Sequence, residues 1–321
     1  MKILFKHDGV LPVKRYGGTE RIIYWLMKHL VKLGHEVVLI GNPKSEVEKD
    51  GIKLIKNNLV KDWRTLIPSD IDLIHLFYSP HLEMDFPLLV TIEGNGIPGE
   101  EFHINTVFVS QNHAQNHSGH EFVYNGLDFD EYPYHPKKDK AWKDFLFLAK
   151  ANWKVKNLNH CIKACKNAKK NLHIAGGKKF SFSSKIKSYG MVNQEKKREL
   201  LGLVDALLWP VRWHEPFGIA IIEAFAFGVP VIGSPYGSLK ELITKETGFI
   251  CNNFSEFKDR IATSHQFNSD QIRHMVESKY SVAVMTEKYL DYYKRVIRGE
   301  NLNPQRPHYV GTIHPEELLA F

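Results

Sequence analysis

Cysteine is scarce in this chain: Cys161, Cys165 and Cys251 are three in 321 residues. An odd number that small gives no disulfide framework. Cys161 and Cys165 form an i, i+4 pair in a helical pattern and read as core thiols rather than a bridge or a metal site. Long apolar runs are also missing. No stretch approaches the roughly 18 uninterrupted apolar residues of a membrane span, and the run in Met1–His7 is too short for a signal peptide. A cytoplasmic protein is therefore expected, at most touching the inner face of the cell membrane. No internal repeat is evident beyond the similarity of the two halves. The net charge of +7 comes without an aromatic-interleaved basic motif or a nucleic-acid module, so no nucleic acid partner is expected. What is present is ordinary for a globular protein, 43% hydrophobic and 25% charged, and long enough for two cores. Charge is unevenly placed: residues 1–135 carry 13 Lys and Arg against 18 Asp and Glu, and residues 136–321 carry 30 against 18. The excess of positive charge belongs to the second half.

Short apolar runs alternate with helical patterns, which predicts an α/β fold with parallel sheets. In the first half, strands are predicted at 2–6, 37–40, 73–77, 88–92 and 106–110. A helix follows Gly17-Gly18-Thr19, with Ile22, Ile23, Leu26, Leu30 and Leu33 on one face and a stop at Gly34. Residues 132–143, with Pro133, Pro136, Lys137, Lys138, Lys140 and Lys143, read as a linker. The series then repeats, with strands at 145–149, 172–175, 206–209 and 230–233 and helices near 158–168, 196–203 and 219–227. This predicts two Rossmann-like domains, 1–135 and 136–281. A last helix covers about 282–298, and residues 299–321 form a tail matching no pattern.

The most informative segment is His214-Glu215-Pro216-Phe217-Gly218-Ile219-Ala220-Ile221-Ile222-Glu223. Two carboxylates stand eight residues apart around a helix start. If most of the segment is helical, they are separated along the axis by roughly 12 Å. That exceeds the roughly 5–9.5 Å between the carboxyl groups of a glycosidase, so they are not expected to share one bond. Pro216 suits a first helical position, and Gly218 lets an anion approach the amides that follow it, from Ile219 onward. A diphosphate there, with hydroxyls on Glu215 at one side and on Glu223 at the other, describes a nucleotide sugar.

This E-x7-E element is followed by Ala224-Phe225-Ala226-Phe227-Gly228-Val229-Pro230-Val231-Ile232-Gly233-Ser234 and then Gly237-Ser238-Leu239-Lys240-Glu241. Together they resemble the donor-site signature of the GT-B retaining glycosyltransferases of family 4, the group 1 type. The resemblance covers most of residues 1–298. It implies two Rossmann-like domains facing a cleft, the first holding the acceptor and the second the donor, with helix 282–298 crossing back onto the first. It also implies transfer of a hexose from a nucleoside diphosphate to a hydroxyl with retention of configuration. The cell-envelope setting, lipopolysaccharide or another surface polysaccharide, is what such enzymes usually serve. No metal and no cofactor are implied beyond the nucleotide-sugar substrate, and a glycan or lipid-linked glycan is the implied acceptor. The basic second half then has a diphosphate to hold, and the acidic first half, basic in many membrane-associated relatives, weakens the case for docking on a lipid surface. An epimerase or phosphorylase on the same fold and a non-catalytic nucleotide-sugar-binding module are the alternatives.

Further site residues follow from the resemblance. Gly17 and Gly18 match the first glycine-rich loop, which faces the donor diphosphate and the acceptor; without the resemblance the segment reads as a tight strand-to-helix turn capped by Thr19. Lys150 stands where relatives have an arginine, keeping the charge but losing the bidentate fork. Lys156 matches the second phosphate cation, with Lys154 close enough to leave the register open. Glu93 stands where relatives have a histidine reaching toward the transferred sugar. Gly190 and Met191 match a turn whose backbone contacts the base. Two motifs are read as unrelated to the chemistry. Gly94-x-Gly96-x-x-Gly99 contains Pro98 and no clear helical pattern follows, which argues against NAD. His113, His117 and His120 have metal-ligand spacing but read as a polar helix surface.

Overall fold

The computed structural model describes residues 1–14, 17–57, 62–80, 84–137, 141–312 and 314–321. Lys138 and Lys140 of the proposed linker lie outside the described residues. The chain forms two compact units. One comprises Met1–Val13, Gly17–Leu127 and Ser281–Ile313; the other is built on Asp128–Tyr280 with His314–Phe321.

The first unit is built on the strands β1 (Lys2–His7), β2 (Glu36–Gly41), β3 (Lys53–Lys56), β4 (Leu73–Leu76), β5 (Leu88–Ile92) and β6 (Thr106–Phe108). They form one sheet in the order β3-β2-β1-β4-β5-β6, every pairing parallel. A parallel sheet covered on both faces needs strands that are apolar on both sides. The runs Ile3-Leu4-Phe5 and Val38-Leu39-Ile40 meet that need, with each of these residues at most 1% exposed. Helix α1 (Gly18–Lys32) turns Ile22, Ile23, Leu26 and Leu30 inward. Helix α2 (Gln111–Gln115) is a short piece capped by Ser110, whose Oγ accepts from the His113 amide at 3.1 Å.

The second unit repeats the plan with β7 (Asp144–Leu148), β8 (Asn171–Ala175), β9 (Ile186–Ser188), β10 (Ala206–Trp209), β11 (Val231–Gly233) and β12 (Gly248–Ile250). Their order is β12-β11-β10-β7-β8-β9, again parallel throughout. Helices α3 (Leu158–Asn167), α4 (Gln194–Leu203), α5 (Ile219–Ala226), α6 (Leu239–Leu242), α7 (Phe254–Ala262) and α8 (Ser269–Lys279) belong to it. Helix α9 (Val282–Ile297) returns to the first unit, where it packs on α1 and β5. There the hydroxyl of Tyr293 meets His75 Nδ1 at 2.8 Å, and that of Tyr289 meets Thr91 Oγ1 at 3.0 Å.

Strands β3, β9 and β12 and helices α6, α7 and α8 were not expected from the sequence. The three strands are sheet edges of three or four residues, too short for a period to show. The strand expected at 106–110 stops at Phe108 because Ser110 is already the cap of α2. The tail divides. Residues 307–310 lace the first unit, with Pro307 O accepting from Phe102 N at 2.8 Å and the amides of His308, Tyr309 and Val310 bonded to His117, Glu100 and Asn116. Residues 314–321 lie in the second unit, where Leu319 N donates to Arg212 O at 2.9 Å. Among the described residues no helix is long and apolar enough to cross a membrane.

Candidate active site

In the second unit the segments leaving the carboxyl ends of β7 and β10 converge. After β7, the turn Lys154–Lys156 ends at Asn157, whose Nδ2 donates to Pro210 O at 2.8 Å and so ties this turn to the segment after β10. The turn carries Lys156 inward and leaves Lys154 exposed. Lys156 Nζ lies 2.9 and 2.6 Å from the two carboxylate oxygens of Glu215. The same ammonium stands 4.6, 5.1 and 5.2 Å from the ring centroids of Trp213, Trp209 and Trp153. Burial pushes Lys156 below the usual lysine range, with Glu215 opposing and Lys150 adding to the shift. Three indole faces offset part of the lost hydration, since each presents negative π density to the cation. Trp213 Nε1 donates to Glu215 Oε2 at 3.0 Å, so both carboxylate oxygens are engaged. Lys150 is exposed at the end of β7, with Nζ 5.9 Å from the Trp153 ring.

The backbone around Glu215 is held by the turn after β11. Gly237 adopts a left-handed φ of 66°, and a Cβ there would lie 2.2 Å from Glu215 N and 2.3 Å from Glu215 O. Only glycine allows that approach. Ser238 completes the clamp, its amide donating to Glu215 O at 3.0 Å and its hydroxyl to Phe217 O at 2.6 Å. The Gly-Ser step in the signature thus positions the first acid.

Helix α5 begins at Ile219 and is preceded by Gly218, which sits at φ 89° with no side-chain cap. Pro216 is therefore not a first helical residue, and Glu215 through Phe217 run as an irregular segment. The helical spacing assumed for the acid pair applies only from Ile219 onward, because the Gly237-Ser238 clamp fixes the preceding backbone in a different conformation. Pro216 and Phe217 are buried, Phe217 against the Tyr280 ring at 6.0 Å.

Glu223, 4% exposed on α5, is also ion-paired. Its Oε1 accepts from the ammonium of Lys197 on α4 and from Tyr132 OH, the latter at 2.7 Å. Gln194 Nε2 donates to Tyr132 OH at 3.3 Å, while Gln194 Oε1 is buried without a hydrogen-bond partner. Lys197 and Tyr132 were missed in the sequence. A signal existed for Lys197: it shares the buried face of α4 with Leu200 and Leu201, where a lysine needs a partner. Gly190, at φ 70°, accepts through its carbonyl from Gly176 N at 2.8 Å and Gly177 N at 3.2 Å, next to the loop of Lys150. Met191 beside it is 46% exposed.

Gly17, Gly18 and Glu93 belong to the first unit. Gly17 precedes α1, and the Glu20 carboxylate folds back so that a Cβ on Gly17 would lie 2.7 Å from Glu20 Oε2. Glu93 follows β5. Its Oε2 accepts from Asn125 Nδ2 at 2.9 Å, and its Oε1 is shut off from solvent without a partner. Burial pushes the carboxyl up to about 7, the Asn125 bond opposing and the Glu20 charge assisting.

The histidines before this site are not a polar surface. His113 and His117 are 1% and 0% exposed, and α2 ends at Gln115, so His120 is on no shared helical face. His113 Nε2 donates to Gly94 O at 2.9 Å, and His117 Nε2 accepts from Gly96 N at 2.8 Å. His117 Nδ1 bonds His113 O at 2.7 Å, which makes it the protonated nitrogen. The two rings brace the loop that follows Glu93, a tertiary role with no trace in their spacing. Burial lowers both pKa values, that of His117 to about 4. No helix follows Gly99, as a dinucleotide fingerprint would require. No cluster of metal-ligating side chains occurs among the described residues.

Residues 128–265 match the family model of the glycosyl transferases group 1. A 41.2 kDa protein of the cps region of Klebsiella pneumoniae is 28% identical over 149 residues, which is 43% of this chain and 41% of that protein. The match thus spans about two fifths of the curated relative's length. Among solved structures, a glycosyltransferase involved in avilamycin A biosynthesis superposes with a TM-score of 0.76 at 20% identity, covering 93% of this chain and 98% of that one. Sucrose-phosphate synthase of Thermosynechococcus elongatus gives 0.73 at 14%, covering 93% and 100%. HepE of Anabaena in complex with UDP and glucose gives 0.66 at 16%, covering 92% and 99%.

Proposed function

We propose that this chain, whose residues 128–265 match the glycosyl transferases group 1 model and whose fold resembles that of GT-B glycosyltransferases, transfers a hexose from a nucleoside diphosphate to a hydroxyl acceptor with retention of configuration. The observation that carries the reading is the pairing of both acids of the E-x7-E element with buried lysines in one unit, Glu215 with Lys156 and Glu223 with Lys197. Two paired carboxylates with fixed orientation suit hydroxyl recognition at two ends of an extended ligand.

In this reading Glu215 orients the transferred sugar and Glu223 accepts from the ribose through Oε2. Lys150 and Lys156, with the amides at the start of α5 after Gly218, stabilise charge growing on the departing diphosphate. Such preorganised electrostatics usually supply the largest share of catalysis. Phe217 and Ile219 shape that helix start, and Gly190 and Met191 lie against the base. In the first unit Gly17 and Gly18 approach the diphosphate. Glu93, whose carboxyl is pushed up to about 7, donates to or accepts from a sugar or acceptor hydroxyl. No residue is assigned as a covalent nucleophile; the acceptor attacks from the leaving-group face and a phosphate oxygen takes its proton. No metal has a role.

The UDP and glucose named for HepE make UDP-glucose the first donor to test, and the cps-region relative supports a surface polysaccharide as the product class. A glycan, free or lipid-linked, is the acceptor. The test is a thermal-shift screen against UDP, GDP, ADP and their sugar conjugates with chelator present, followed by NMR of the product anomer. A ligand that binds only the folded state raises the midpoint. No shift with any conjugate, or an inverted product, would overturn the reading.

A further inference from the structure

The loop between β8 and the edge strand β9 carries Phe180 and Phe182, which are 81% and 96% exposed. The next most exposed large hydrophobic among the described residues, Leu33, reaches 50%. Single exposed apolar residues are ordinary on a protein surface; two nearly bare phenylalanines in contact are not. Their ring centroids are 4.8 Å apart at 84°. Lys178, Lys179, Lys185 and Lys187, all exposed, flank the pair. The sequence around them is one-sided: residues 145–194 contain eleven lysines and no aspartate or glutamate.

The base of this loop is fixed. Gly177 pairs with Gly190 in an antiparallel bridge, Ser188 Oγ donates to Gly177 O at 2.9 Å and accepts from Lys179 N at 3.0 Å. Lys185 Nζ donates to Lys169 O at 2.6 Å. A pinned base holds the aromatic pair out rather than letting it fold back.

We propose that this loop docks the second unit on an anionic lipid bilayer, with Phe180 and Phe182 entering the boundary between headgroups and acyl chains and the lysines contacting lipid phosphates. Charge complementarity selects a negative partner, and the ring geometry selects lipid among negative partners. Two rings at nearly right angles cannot both lie flat under successive bases or sugars, as a stacking platform needs. They can both be buried in a fluid boundary that imposes no plane. Phenylalanine has no polar tip to satisfy there, and basic residues beside it add attraction to anionic headgroups. The acidic character of residues 1–135 does not oppose this, because the surface belongs to the other unit. The proposal is independent of the transferase reading: it predicts binding to lipid whether or not a nucleotide sugar is bound.

The experiment is flotation of the full chain with vesicles of phosphatidylcholine alone and of phosphatidylcholine mixed with phosphatidylglycerol. It is run for the natural chain, for the double variant Phe180→Ser with Phe182→Ser, and for Lys178→Gln with Lys179→Gln. The expected result is binding to the mixed vesicles only, weakened about tenfold or more in each variant, with unchanged thermal midpoints. Absence of vesicle binding by the natural chain would overturn the proposal. So would equal binding by the phenylalanine variant, which would mean charge adhesion elsewhere. Loss of single-stranded RNA binding in that variant with vesicle binding intact would assign the loop to a nucleic acid instead.

Discussion

Lys156 gives its ammonium to both carboxylate oxygens of Glu215, at 2.9 and 2.6 Å, inside a cage of three tryptophans. The lysine matched to a phosphate cation is thus also the group that fixes the first acid. A buried ion pair loses much when one partner is removed, because the other is left charged without compensation. Lys156→Met is expected to destabilise the protein by about 3–5 kcal/mol, and Glu215→Gln by less, since an amide oxygen still accepts from the ammonium. Urea unfolding of the two variants checks the order. Equal stability of Lys156→Met and the natural chain would mean the pair is not formed in solution.

Tyr132 and Lys197 hold one oxygen of Glu223. Tyr132→Phe removes one hydrogen bond and is expected to cost about 1 kcal/mol of stability. Lys197→Met leaves Glu223 buried without a counter-charge and should weaken nucleotide binding more than Tyr132→Phe. Calorimetric titration with the nucleotide identified by thermal shift measures this. The reverse order would place the tyrosine, not the lysine, in control of the acid.

Gly237 leaves no room for a side chain beside Glu215. Gly237→Ala should therefore displace the Glu215 backbone and lower kcat/KM by roughly a hundredfold, the scale expected for about 1 Å of misplacement. Gly34→Ala serves as the comparison, because a Cβ there meets nothing within 4 Å although its φ of 84° is equally left-handed. Similar activity loss in both would assign the effect to backbone strain rather than to contact with Glu215.

Glu93 and His117 pull stability in opposite directions with pH. The Glu93 carboxyl is pushed up to about 7 from an ordinary value of 4.5, so the folded state holds a proton that the unfolded state has lost, and stability falls as pH rises through 4.5–7. His117 is lowered to about 4 from 6.5, so the unfolded state binds the extra proton and stability falls as pH drops from 6.5 toward 4. Glu93→Gln should remove the first loss, gaining between about 1 and 3 kcal/mol relative to the natural chain on going from pH 4.5 to pH 8. Denaturant midpoints across that range test it; a pH-independent difference would show that the carboxyl titrates normally.

Much of the fold was legible because it rests on apolar period. The strands β1, β5 and β10 and the helices α1 and α9 bury continuous runs or one helical stripe, and such patterns survive in a linear sequence. The edge strands β3, β9 and β12 did not, since a few residues paired on one side need no pattern. In the site, the chemical types were legible: two acids, a lysine after β7, glycines at the turns. The sequence alone determined which groups were available and their separation along the chain. Only tertiary structure decided which of them meet. Lys156 rather than Lys154 reaches Glu215 because the turn ending at Asn157 buries it, and Lys197 on α4 reaches Glu223 on α5 across 26 residues because the fold of the second unit brings the two side chains together. His113 and His117 became buried braces instead of a polar face for the same reason. Burial and partner are properties of the packed chain, and a charged or polar side chain acquires its role from them.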